Sequence, residues 1–123
     1  MHIVLVEDME SDAELIRLEL LGEWPSLRFD WVHQRRALMQ TLAKPPADLV
    51  LVDSRLPGLH GAEAFQLVAD AWPGVPLVFC VGSLDVDPIL QSLLPRAAAL
   101  IDKNRLDTLV PTLRRVLTPP RSS

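Results

Sequence analysis

The clearest structural signal in the chain is the stretch Asp48-Leu49-Val50-Leu51-Val52-Asp53-Ser54-Arg55-Leu56-Pro57-Gly58-Leu59-His60-Gly61. Leu49 to Val52 is an unbroken apolar run between turn-forming residues, a pattern that predicts a strand buried on both faces. The run ends in a carboxylate, Asp53, and Pro57-Gly58 follows as a turn signal. Because open α/β sheets bind ligands beyond the carboxyl ends of their strands, Asp53 is a candidate site residue. Taken alone, it could equally be an ordinary loop residue.

Two other apolar runs also end in charged residues. Ile3-Val4-Leu5-Val6 precedes Glu7-Asp8, and Leu100-Ile101 precedes Asp102-Lys103. If these runs and the strand before Asp53 lie in one parallel sheet, the acids Glu7, Asp8 and Asp53 meet Lys103 at the same edge. Such a group of charges suits a cation and a phosphoryl group. Without a counter-ion, repulsion among the carboxylates raises the pKa of at least one of them.

Helical patterns separate the apolar runs along the chain. Apolar residues recur at helical spacing within residues 13–21, 37–42, 64–71 and 106–117, and residues 27–31 and 75–81 have strand patterns. Pro88 and Pro95 bracket a further helix of barely two turns. Ser11 and Glu14 have the form of a capping box for the first helix. Strand and helix therefore alternate five times, which predicts a parallel sheet covered by helices on both faces.

The chain resembles the receiver domain of two-component response regulators. The residues that carry the resemblance are Glu7-Asp8, Asp53 with Pro57 and Gly61 at the family's spacing, and Lys103. Each of these parts is weak alone, but the combination is specific.

The resemblance covers nearly the whole chain and implies its fold. The expected fold is α/β, a single doubly wound (βα)5 domain of the flavodoxin-like type, with a five-stranded parallel sheet in the order 2-1-3-4-5. Residues 1–117 form the expected receiver domain, and residues 118–123 are a tail or the start of a linker.

The resemblance also implies a phosphoryl-transfer site with Mg²⁺ as its cofactor. Asp53 is the implied phosphoacceptor, a carboxylate nucleophile that forms an acyl phosphate. Asp8, Asp53 and the backbone carbonyl of Arg55 are the implied direct metal ligands, and Glu7 is expected to act mainly through a bound water. Lys103 supplies a compact cation to the phosphoryl oxygens. The implied phosphate donor is a phosphohistidine on a histidine kinase or a histidine phosphotransfer protein.

The chain departs from the family at the positions that transmit the signal. Val81 stands where the family carries Thr or Ser, whose hydroxyl normally bonds the phosphoryl group. Gly82 fills the usual small-residue position, and Ser83 offers a hydroxyl only from the following loop. Leu100 occupies the aromatic switch position, and Asn104 replaces the Pro that usually follows the lysine. The residues for phosphoacceptance are therefore present, while those that transmit the signal differ.

Three functions are compatible with these residues. The favoured one is a phosphorylatable receiver in a phosphorelay, which is not a conventional enzyme and signals through protein–protein contacts. Its fourth helix, fifth strand and last helix form the face expected to bind an output partner or a second copy. The alternative is a pseudo-receiver, an interaction module that works independently of Asp53. The third is an enzyme, but phosphatases of the haloacid dehalogenase type carry a second Asp where this chain has Arg55.

Composition narrows the class of protein further. A length of 123 residues suits one domain, and 49% hydrophobic residues supply a substantial core. The net charge of −4 and the lack of a clustered basic stripe argue against direct binding of nucleic acid. No apolar run approaches the roughly 20 residues that span a bilayer, and no signal peptide precedes the first strand, so a cytoplasmic protein is expected. The single cysteine, Cys80, is expected to be a buried structural thiol.

Overall fold

The computed structural model describes residues 1–56, 58–82 and 88–118, with only the backbone described at Arg55 and Leu56. One parallel sheet contains five strands, which are β1 (His2–Val6), β2 (Arg28–Val32), β3 (Leu49–Asp53), β4 (Leu77–Val81) and β5 (Ala99–Asp102). The α-helices are α1 (Glu10–Glu23), α2 (Arg35–Leu42), α3 (Gly61–Ala71), α4 (Pro88–Leu93) and α5 (Leu109–Leu117). Short 3-10 helices, Leu94–Arg96 and Leu106–Thr108, lead into β5 and α5.

The order of the strands across the sheet is β2-β1-β3-β4-β5, and every neighbouring pair is parallel. This confirms the predicted doubly wound α/β fold and the position of β2 at an edge. The register pairs Val6 of β1 with Val52 of β3. The next residues along each strand, Glu7 and Asp53, therefore lie side by side at the carboxyl edge of the sheet. A feature that the sequence did not predict is a two-residue antiparallel hairpin, Arg55–Leu56 with Leu59–His60.

Helices cover both faces of the sheet, and each face has its own apolar core. Alternate residues of β1 point to opposite faces, as the period of a strand requires. One core contains Val4 and Val6 of β1 with buried side chains from α2, α3 and α4 (Leu38, Leu42, Ala64, Phe65, Val68 and Leu90). The other contains Ile3 and Leu5 with buried side chains from α1 and α5 (Ala13, Ile16, Leu20, Leu109 and Leu113).

Two local predictions were wrong in detail. Helix α1 begins at Glu10, and its N-cap, Met9, makes no side-chain capping bond. Ser11 therefore lies inside the first turn, and the predicted capping box does not form. Strand β4 begins at Leu77 instead of Val75, because the chain is still turning after α3: the Val75 N–H donates to the Trp72 carbonyl.

Other predictions fall on residues that the structure does not describe. Ser83 and residues 119–123 lie outside the described ranges, as does Pro57. The division into a domain of residues 1–117 and a tail therefore stays a prediction. Within the described ranges, the helices are too short or too polar for any of them to cross a membrane.

Candidate functional site

The candidate site lies at the carboxyl edge of the sheet, where β1 and β3 end next to each other. Asp53 is the last residue of β3 and is only 6% exposed, and Glu7, directly after β1, has no exposed surface. The backbone fixes both positions, because the Glu7 N–H donates to the Val32 carbonyl and Asp53 pairs with Cys80 in β4. The sheet thus buries Glu7 and Asp53, two of the three acids expected together, at the same edge.

Lys103, which follows the edge strand β5, contacts both of these carboxylates. Its N–H donates to the carbonyl of Val81 at 2.8 Å, which fixes the backbone just beyond β5. Its Nζ lies 2.6 Å from Oε2 of Glu7, 3.0 Å from Oδ2 of Asp12 and 3.3 Å from Oδ2 of Asp53. One ammonium, 13% exposed, therefore lies among three carboxylates.

Burial and mutual charge shift the pKa values of this group. Burial raises the pKa of Glu7, the Lys103 ammonium and the Met9 N–H partly offset that rise, and the negative charge of Asp53 adds to it. Burial by itself lowers the pKa of Lys103, but its contacts with Glu7, Asp12 and Asp53 outweigh this and leave the pKa raised. The lysine is therefore a fixed positive charge. The pKa of one carboxylate, Glu7, is raised as predicted, but burial and not repulsion among the acids is the largest cause.

The predicted direct ligands are not all gathered in this cluster. Asp8 is exposed, and none of the contacts to the Lys103 ammonium involves it. The backbone of Arg55 belongs to the hairpin strand that begins two residues after Asp53. Within residues 1–56, 58–82 and 88–118, no three His, Cys, Asp or Glu side chains form a group that could hold a metal ion.

The positions expected to transmit a signal differ from one another in exposure. Val81, the last residue of β4, is 1% exposed and has no hydroxyl, and Leu100 on β5 is 41% exposed. A Cβ added to Gly82 would lie 4.0 Å from Cδ of Lys103, so this position lies against the lysine stem. Asn104 joins the segments that follow β4 and β5, because its Nδ2 donates to the Gly82 carbonyl at 3.2 Å. Ser83 lies outside the described residues.

Two residues near the site were missed by the sequence reasoning. Asp12, in the first turn of α1, accepts a hydrogen bond from Lys103 at 3.0 Å. Trp31 on β2 donates from Nε1 to the carbonyl of Glu7 at 2.7 Å. The sequence indicated only the region of Asp12, since the first turn of a helix that follows β1 starts at the same edge of the sheet. Nothing in the sequence points to the Trp31 contact.

Similarity to known proteins identifies the family of this chain. The response regulator receiver domain family matches residues 3–114. The chain belongs to this family. Receiver domains are signalling domains, and this one matches the hydrogenase transcriptional regulatory protein HoxA of Cupriavidus necator at 28% identity over 91 residues. That match covers 74% of this chain but 18% of HoxA, so the chain spans about a fifth of the length of the curated relatives it matches.

Solved structures of receiver domains have the same fold. The non-phosphorylated HemR receiver domain of Leptospira biflexa is similar with a TM-score of 0.77 and 27% identity, covering 99% of this chain and 98% of that one. The receiver domain of the sensor histidine kinase PA1611 of Pseudomonas aeruginosa PAO1 is similar with a TM-score of 0.79 and 24% identity, covering 94% and 96%. That structure has a magnesium ion coordinated in its active site cleft.

Proposed function

We propose that this receiver domain accepts a phosphoryl group on Asp53 in a Mg²⁺-dependent reaction, as one step of a phosphorelay. The observation that carries the proposal is the position of Asp53. It ends a buried strand, is only 6% exposed, and has Oδ2 3.3 Å from the Lys103 ammonium. A carboxylate held beside a fixed cation stays a competent nucleophile, and the same cation balances the charge of an incoming phosphoryl group.

The proposed reaction transfers the phosphoryl group from a phosphohistidine of a histidine kinase or a histidine phosphotransfer protein. A carboxylate oxygen of Asp53 forms the new O–P bond while the P–N bond of the phosphohistidine breaks. The electron pair of that bond stays on the imidazole nitrogen, which then takes a proton from solvent. In this proposal Lys103 contacts the transferred phosphoryl oxygens.

The donor atoms of the site fit Mg²⁺, although they do not form a preorganised three-carboxylate cage. The donors are carboxylate and carbonyl oxygens, and Oε2 of the fully buried Glu7 lies 2.6 Å from the Lys103 ammonium. Mg²⁺ in proteins is usually held by one or two carboxylates together with waters and phosphate oxygens. We therefore assign Asp53, Asp8 and the carbonyl of Arg55 as ligands, with Glu7 acting through water. When bound, the ion neutralises charge on the carboxylates and on the phosphoryl oxygens.

Intact-mass analysis after incubation with acetyl phosphate and Mg²⁺ tests the proposal. The wild-type protein should gain the mass of one phosphate, and EDTA should prevent the gain. Asp53→Asn should show no gain, whereas Asp70→Asn, which changes an exposed aspartate on α3, should be phosphorylated like the wild type. Equal phosphorylation of Asp53→Asn would refute the assignment of the acceptor.

A second candidate function is a pseudo-receiver that binds partners independently of phosphorylation. Val81 favours it, since this buried side chain lacks the hydroxyl expected to bond a phosphoryl oxygen. The surface formed by α4, β5 and α5 is the proposed face for an output partner or a second copy, and it carries Ile89 and Leu100, exposed by 66% and 41%. The test compares the affinity of a partner for this face in the wild type and in Asp53→Asn, before and after phosphodonor treatment. Equal affinities would favour the pseudo-receiver.

A further inference from the structure

We propose that Asp12 is a positioning residue for Lys103, a carboxylate that keeps the ammonium in place while Asp53 accepts the phosphoryl group. The inference deepens the proposed function and rests on it for its mechanistic part. Asp12 lies on the first turn of α1, 91 residues away from Lys103 in sequence, and accepts a hydrogen bond from Nζ at 3.0 Å.

The contacts of the ammonium are not equivalent. A lysine has three N–H donors, and Nζ of Lys103 has three carboxylate neighbours. The contact with Asp12 has hydrogen-bond geometry. The contact with Glu7 is shorter, at 2.6 Å, and holds the ammonium against a carboxylate that has no exposed surface. Asp12 therefore holds the ammonium from α1, whereas Glu7 and Asp53 hold it from the carboxyl ends of β1 and β3.

The position of Asp12 is set by a rigid element. Its neighbour Ala13 and, one turn later, Ile16 are buried in the core between α1 and the sheet. The Asp12 carboxylate is 36% exposed, but its partner lysine is 13% exposed. Exposed ion pairs usually contribute little. This pair differs because the lysine side chain is largely removed from water and its backbone is fixed beyond β5.

The contact between Asp12 and Lys103 has a role in the proposed reaction. In the proposed reaction a carboxylate oxygen of Asp53 forms the new O–P bond, and the arriving phosphoryl oxygens carry negative charge of their own. Lys103 then pairs with those oxygens, while Asp12 takes no part in the reaction. Asp12 thus keeps the charge of the lysine compensated and its stem in one orientation, and leaves another N–H donor for a phosphoryl oxygen.

The first test uses the metal-free protein and needs no phosphodonor. The chain has two lysines, Lys44 and Lys103, so acetylation by an amine-reactive reagent followed by peptide mass analysis gives Lys103 reactivity relative to exposed Lys44. Asp12→Ala should raise that ratio roughly tenfold, as the loss of one charge-assisted hydrogen bond predicts. Glu10→Ala is the matched control, because it removes an exposed acid from the same helical turn and should leave the ratio unchanged. An unchanged ratio in Asp12→Ala overturns the inference.

The second test measures the rate of phosphorylation by acetyl phosphate and Mg²⁺. Asp12→Ala should slow the reaction roughly tenfold in the wild-type background and have no further effect in a Lys103→Met background, since Asp12 acts through the lysine. Glu10→Ala should react at the wild-type rate. If the wild type is phosphorylated and Asp12→Ala matches it, the inference fails while the proposed function stands. If the wild type itself is not phosphorylated, the proposed function fails, and the lysine reactivity still decides whether Asp12 positions Lys103.

Discussion

Replacing Lys103 by methionine should destabilise the protein strongly at alkaline pH and weakly at acidic pH. The variant keeps the length of the side chain but removes the cation, so Glu7, which has no exposed surface, and Asp53, with an 8% exposed side chain, lose their counter-charge. Removing one partner of a buried ion pair typically costs about 3–5 kcal/mol. Asp12 is partly exposed and can regain water, so we expect the lower end, about 3 kcal/mol at pH 8.

The pH dependence follows from the raised pKa of Glu7. A carboxyl group whose pKa is raised on folding stabilises the native state below its unfolded pKa, and this contribution is lost as the pH rises through the folded pKa. Without Lys103 the pKa of Glu7 rises further, so the pH at which Glu7 ionises in the native state moves upward. The destabilisation of Lys103→Met should therefore shrink steadily as the pH is lowered from 8 toward the titration of Glu7.

Urea unfolding followed by far-UV circular dichroism between about pH 5 and pH 8 measures these free energies. Glu7→Gln combined with Lys103→Met should regain part of the loss at pH 8, because the buried charge of Glu7 is removed with its partner while Asp53 stays without a counter-charge. Lys44→Met changes an exposed lysine and should stay within about 0.5 kcal/mol of the wild type. A loss that is independent of pH, or a double variant no more stable than Lys103→Met, would refute the reasoning.

Three further outcomes are expected. Val81→Thr should enlarge the amide NMR chemical-shift changes that beryllofluoride produces in β5 and α5, because the added hydroxyl can make a hydrogen bond worth about 1.5–3 kcal/mol to a charged oxygen. Equally large changes in the wild type would contradict this. Burial raises the pKa of Cys80 to about 12, so its thiol should react with a disulfide reagent at pH 8 only as the protein unfolds, and rapid labelling of the native protein would count against that. Gly58 has φ 70°, so Gly58→Ala should lower the free energy of unfolding by about 1–2 kcal/mol. Gly22 lies within α1 with open space around it, so Gly22→Ala should raise that free energy by up to about 1 kcal/mol, and thermal unfolding of both variants measures the two changes.

The fold was predictable because the strands are buried on both faces. Leu49 to Asp53 reads as a continuous apolar run ending in a carboxylate, and the structure has β3 at those residues, all of them buried. The alternation of such runs with helical patterns leaves few possible topologies. The hairpin that follows β3 was not predictable, since two-residue strands carry no periodicity. The capping box failed because Ser11 and Glu14 satisfy a local pattern without specifying where the helix begins.

The site was predictable only as far as strand ends fix positions. Glu7, Asp53 and Lys103 each follow a strand of the same sheet, so the topology alone brings them together. Asp12 and Asp8 belong to the segment between β1 and the body of α1, where one residue of helical register decides which acid faces the lysine. That register depends on how Ala13 and Ile16 pack in the core, which a single sequence does not show.

The sharing of β1 and β3 between the two apolar cores has a consequence for synthesis of the chain. Val4, Val6, Val50 and Val52 belong to one core, and Ile3, Leu5, Leu49 and Leu51 belong to the other. The main chain at His2 contacts Asp48, 46 residues later. β1 therefore has both of its neighbouring strands only after residue 53 has been made, and the core that contains Leu109 and Leu113 is complete only after α5 has been made. This domain consequently cannot complete its two cores until nearly all of its own residues have been synthesised.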